Sequence, residues 1–115
     1  MLPSEHRLKG RKIFNDLFRI GKAFSNDVLL LKIAPGEKDS LTRFGFGASL
    51  KFSKKAVVRN KAKRWMREAV RVKIRKIKPE HSAVFLINPS FPKEKLSLEL
   101  IQGKVENLLK KAKIL

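Results

Sequence analysis

The chain contains no cysteine, only two histidines, and 10 acidic residues in 115. Without cysteine there is neither a disulfide framework nor a thiolate zinc site, which removes zinc fingers and zinc ribbons from consideration. His6 and His81 have no partners at metal-ligand or nucleophile–base spacing and read as surface residues. The acids are loosely scattered at Asp16, Asp27, Glu37 and Asp39, so the carboxylate cluster that a metal-dependent protein nuclease needs is missing. A glycine-rich phosphate loop is missing too: Gly45 and Gly47 fall in the alternating string RFGFGAS, where close backbone packing or a bulge is expected. No apolar run approaches the ~20 residues of a membrane span. The opening MLPSEHRLKGRK lacks the apolar stretch of about 7 to 15 residues that marks a secretory signal. A cytoplasmic binder without chemistry of its own is expected.

What the chain has is positive charge. Its 28 Lys and Arg give a formal net charge of +18 and a pI near 10.8. A charge magnitude of about 2 to 8 suffices for solubility. Folding this chain therefore carries self-repulsion that a polyanionic partner would relieve. The apolar content of 43% separates it from a disordered basic tail, and the length fits a single domain over residues 1–115.

The charge is concentrated. Residues 51–78, KFSKKAVVRNKAKRWMREAVRVKIRKIK, hold 13 of the 28 cations against one acid, Glu68. At about 100° per residue, Val58, Ala62, Trp65, Met66, Ala69, Val72 and, partly, Lys73 gather on one arc of a helix. Arg59, Asn60, Lys63, Arg64, Arg67, Arg71 and Arg75 gather on another. The first arc is expected to dock on a core, with Trp65 in it. The second is a ladder of like charges at i, i+4, which destabilises an isolated helix and which a phosphate backbone would neutralise.

Periodicity and turn residues set the remaining elements. Arg11 to Ile20 reads as a short amphipathic helix stopped by Gly21. Lys22 to Phe24 is a brief strand, Ser25-Asn26-Asp27 a turn, Val28 to Ala34 a buried strand and Thr42 to Leu50 another. The basic helix spans roughly Lys55 to Lys76, before Pro79. Ser82 to Asn88 is a buried strand, and Lys93 to Ile114 a final packed helix with Gly103 as a weak point. The order αβββαβα predicts an α+β protein, a two-layer α/β sandwich with a mixed sheet.

The string Arg59-Asn60-x-x-Lys63-Arg64-x-x-Arg67-Glu68 resembles the RNR motif of the protein subunit of bacterial ribonuclease P. An N-terminal Phe14-x-x-x-Phe18 helix followed by Gly21, an Arg43-x-Gly45 strand leading to Lys51, a late apolar strand and a C-terminal helix extend the similarity over nearly the whole chain. The resemblance implies a left-handed βαβ crossover of the ribosomal protein S5 domain 2-like type, against the general right-handed expectation. It also implies partners: the ribonuclease P RNA, which carries the catalytic centre and with the substrate holds the Mg²⁺, and precursor tRNA with its 5′ leader. No cofactor is implied for the protein alone.

Residue by residue, the resemblance implies RNA contacts at Arg59, Asn60, Lys63, Arg64 and Arg67, with Lys61 in place of the motif's second Arg. An ammonium still suits phosphate, though it lacks the planar fork. Lys51, Lys54, Lys55 and Arg71 extend that set. The loop departs from the family pattern, having Ser53 and Lys54 where a Gly is often found. Phe14 and Phe18 match aromatics of a leader cleft, although their i, i+4 spacing suits a core equally. Phe46 shares a strand face with Phe44, a pair that suits the core better than a cleft; it and Lys32, at a strand position where relatives often carry an aromatic, complete the expected cleft. A ribosomal or other RNA-binding module would explain the charge equally well, but not the full motif register.

Overall fold

The computed structural model describes Leu2, His6 to Leu8, Asn15, Leu17, Arg19 and residues 21–115. Asn15, Leu17 and Arg19 are helical, and the Gly21 N–H donates to Leu17 O at 2.9 Å. A Cβ on Gly21 would lie 2.5 Å from that same carbonyl, so only glycine lets the chain leave the helix here.

Strands β1 (Lys22–Ser25), β2 (Leu29–Pro35), β3 (Arg43–Gly47) and β4 (His81–Ile87) and helices α1 (Ala56–Arg71) and α2 (Leu98–Lys111) follow the predicted order. The sheet runs β1-β2-β4-β3, antiparallel at β1/β2 and β2/β4 and parallel at β3/β4. The β1–β2 turn is closed by Asn26, whose Oδ1 accepts from the N–H groups of Val28 and Leu29 at 3.1 and 2.8 Å.

Strand alternation sorts the side chains. Leu31, Phe85 and Phe46 are neighbours across three strands on one face, which the helices cover: α1 lies toward β3, and α2 toward β1 and β2. There Leu31, Phe44, Met66, Phe85, Ile101, Val105 and Leu108 form the main core, and the Phe85 ring stacks against Phe44 and Phe46 with centroids 6.2 and 6.3 Å apart. The other face carries Lys32, Val84 and Gly45 in register, and there Val84 packs with Leu8 and Leu17. The two central strands are thus covered from both sides, as their continuous apolar runs predict.

Three expected boundaries shift. The basic helix ends at Arg71 and not near Lys76, followed by a 3₁₀ turn over Ile74–Lys76. Extended as an ideal helix, residue 74 would point into the cation face; the tighter turn instead lets Ile74 and Ile77 pack on the core. The last helix begins at Leu98, not Lys93, because Ser97 Oγ accepts the Leu100 N–H at 3.1 Å and caps it,. β3 stops at Gly47, since Ser49 O turns the chain by accepting from the N–H groups of Phe52 and Ser53. The packing arc of α1 is also rotated. Val70 is buried and Val72, at the C-cap, is 51% exposed, while Trp65 is only half-buried.

Candidate nucleic-acid interface

The loop into α1 is anchored by its uncharged residues. Phe52 and Ser53 are buried, Ser53 Oγ accepts the Lys55 N–H at 3.2 Å, and Arg59 Nη1 donates to Ser53 O at 2.9 Å. Lys51, Lys54 and Lys55 stand exposed around this anchor. Arg59, half-buried, therefore fixes the basic loop as well as belonging to the motif. Lys55 is the N-cap residue, with no side-chain cap bond and no acid in the first turn of α1. The partial positive charge of the helix N-terminus is thus reinforced by the flanking lysines.

Along α1, Asn60, Lys61, Arg64, Arg67 and Arg71 are exposed and Lys63 half-buried. They do not act alike. Arg71 is forked onto Glu68, Nε to Oε2 at 2.8 Å and Nη2 to Oε1 at 2.5 Å. Hydrogen bonding to Arg71 holds the Glu68 carboxyl below the ordinary carboxylate range, and the same pairing raises Arg71. The only acid of α1 is thereby matched to Arg71. Arg64, Arg67 and Lys63 make no ion pair among the described residues.

Asn60, Arg64 and Arg67 form one wall of a groove of about 690 Å³, floored by Phe44, Gly45 and Phe46, with Arg7 and Leu8 opposite. Phe46 is half-buried, and the Arg67 guanidinium carbon lies 5.8 Å from its ring centroid, a cation–π contact. The groove exists because the N-terminal segment runs beside β3: Arg7 bridges Phe44 in parallel, and Leu8 N–H donates to Phe44 O at 2.9 Å. Arg7 was not among the expected site residues. Its pairing with Phe44 joins segments distant in the chain and has no periodic signature.

The expected leader cleft is not brought together as a set. Phe46 lies on the helix-covered face of the sheet, and Lys32 on the opposite face beside Val84. The alternation of strand side chains forbids the two from sharing one cleft on the sheet. Phe14 and Phe18 lie outside the described residues. Arg43, which strand parity puts on the Lys32 face, joins the site residues that sequence reasoning passed over. Its Nε is buried with no hydrogen-bond partner among the described residues.

No three His, Cys, Asp or Glu side chains gather into a metal-binding group among the described residues. His6 is engaged at Nδ1 with Thr42 O at 2.8 Å. No described helix is long and apolar enough to cross a membrane.

The ribonuclease P family model matches residues 2–113. A ribonuclease P protein component of Rippkaea orientalis is 32% identical over 118 aligned positions, covering 99% of this chain and 91% of that protein. Among solved structures, the Staphylococcus aureus RNase P protein superposes with a TM-score of 0.83 at 26% identity, covering 95% of this chain and 96% of that one. The RNase P protein from Thermotoga maritima gives 0.81 at 30% identity, covering 91% and 96%. With the motif register on α1, the mixed sheet and these similarities in agreement, the chain belongs to the ribonuclease P protein family.

Proposed function

We propose that this ribonuclease P protein component binds its RNA partner through the exposed flank of α1 and the Lys51–Lys55 loop, and precursor tRNA through the opposite face of the sheet. The carrying observation is the wall of Asn60, Arg64 and Arg67 along the groove, whose one lining acid among the described residues, Glu68, is already forked onto Arg71. Guanidinium groups suit phosphate bidentately, and each neutralised phosphate releases counterions, so binding gains free energy from the salt it displaces.

In this reading the leader is assigned to one face of the sheet. Lys32 and Arg43 share the face on which Leu17 of the N-terminal helical residues packs. A single strand laid there would meet cations from the sheet, with Phe14 and Phe18 supplied by resemblance as stacking residues. Phe46 belongs with the α1 groove. The protein contributes positioning and charge, the catalytic centre resides in the RNA, and magnesium is held by RNA and substrate.

Reconstitution tests this reading. The chain, added to a bacterial ribonuclease P RNA at low Mg²⁺, is expected to stimulate 5′ cleavage of precursor tRNA, more strongly with a long leader than with none. Absence of stimulation would remove the function, and stimulation indifferent to the leader would remove the sheet-face assignment.

A further inference from the structure

We infer that Trp65 is a stacking platform for one unpaired nucleobase of the partner RNA, with Lys61 beside it to take that nucleotide's phosphate. The inference rests on the RNA-binding reading above and adds a contact on the flank of α1 away from the arginine groove.

Trp65 sits on the border of the buried arc. Ala62, Met66, Ala69 and Val70 are the buried residues of α1, whereas Trp65 is only partly covered and packs at the margin of the core. Beside it is a groove of about 380 Å³ between α1 and the Lys93–Lys95 turn, lined by Val58, Lys61, Trp65, Lys93, Glu94 and Leu96. Val58 and Leu96 supply apolar walls of the kind that exclude water from a stacked ring.

The charges arrange themselves around that space. Lys61 Nζ lies 4.8 Å from the indole centroid and makes no ion pair among the described residues. An ammonium over a partly exposed indole is held weakly, so it can be exchanged for a base. The lysine then turns to the phosphate of the same nucleotide, so that a ring replaces the cation and the cation keeps an anionic partner. Lys93 and Glu94, both exposed, line the groove on the side across from α1, where the carboxylate can accept from exocyclic amino groups of a base and the ammonium adds to the field for phosphate. Base inward and phosphate toward Lys61 is the orientation these charges favour.

The chain's single tryptophan is its own reporter. The full chain is titrated with a bacterial ribonuclease P RNA while binding is followed independently by filter retention. Trp65 emission is expected to be quenched in parallel with the binding curve, and to become protected from acrylamide. Trp65→Leu keeps apolar bulk against the core and removes the stack. Its affinity should fall roughly 5- to 150-fold, the range that one base on one aromatic contributes, with an unchanged salt slope because every cation that meets phosphate is still in place. Trp65→Phe should retain most of the affinity. A complex that forms at full affinity with unaltered emission and acrylamide access overturns the inference, as does wild-type affinity in a folded Trp65→Leu variant. Should Trp65→Leu fail to fold, the wild-type emission still decides. Failure of the unaltered chain to bind the RNA by filter retention would overturn the RNA-binding reading itself, and the Trp65 stack with it.

Discussion

α1 and α2 lie side by side on one face of the sheet, yet they are stabilised by different means. α2 begins with the Ser97 cap, carries Glu99 in its first turn and Lys110 and Lys111 in its last, an arrangement matched to the helix dipole. Three of its charges are ion-paired: Glu106 lies 3.4 Å from both Lys110 and Lys73, and Lys104 lies 2.7 Å from Asp27. The Glu106 carboxyl is held low by the charges of Lys110 and Lys73, and Asp27 by its hydrogen bond from Lys104. α1 has six cations to one acid, no side-chain cap and no acidic first turn. Such surface pairs contribute little individually, but their near-absence on α1 means its outer face is not arranged for the isolated protein. Packing holds α1 in place, and its outer face is left for a polyanion.

Substitutions in the two helices should differ in a graded way. Met66 of α1 and Leu108 of α2 are both fully buried in the same core, so Met66→Ala and Leu108→Ala should each cost about 2–5 kcal/mol. Denaturant melts would check this; a much smaller loss for Met66→Ala would mean that packing does not hold α1. The caps should respond in opposite directions. Ser97→Ala should destabilise by about 1 kcal/mol, whereas Lys55→Ser, at an N-cap with extended geometry (φ −83°, ψ 118°), should stabilise α1 by a similar amount while weakening RNA binding. Parallel melts and RNA titrations would separate the two effects. The smallest change is on α2: a Cβ on Gly103 meets nothing within 4 Å, so Gly103→Ala should gain about 0.5–1 kcal/mol, read as a raised melting midpoint with RNA affinity unchanged.

Much of the architecture was legible because its signals are local. Continuous apolar runs and their length marked β2 and β4 as buried, Asn26 marked the hairpin turn, and helical spacing along α1 separated Asn60, Arg64 and Arg67 from Ala62 and Met66. What escaped depends on pairings between distant segments. Val70 replaced Val72 because the arc that α1 buries, Ala62, Met66, Ala69 and Val70, is rotated from the expected one, and Ile74 turns toward the core only because α1 ends at Arg71. The N-terminal wall of the groove needed Arg7 beside Phe44, a pairing with no periodic signature. Phe46 and Lys32 were grouped in one expected cleft although the core suited Phe46 better, and only the pairing of β2, β4 and β3 shows that they occupy opposite faces. Arg71 was counted in the ladder, but its fork to Glu68 makes it the paired cation of α1.

The contrast between the helices reduces to one measurement, the salt dependence of binding to ribonuclease P RNA. Wild-type chain is compared with Arg64→Ala and Arg67→Ala on α1, and with Lys110→Ala on α2 as the control. Each α1 variant should bind more weakly and lower the log–log slope by about 0.7–0.9 for each phosphate it no longer neutralises, while Lys110→Ala leaves the slope unchanged. Unchanged slopes for both α1 variants, or an equal drop for Lys110→Ala, would contradict the assignment of the α1 face to RNA.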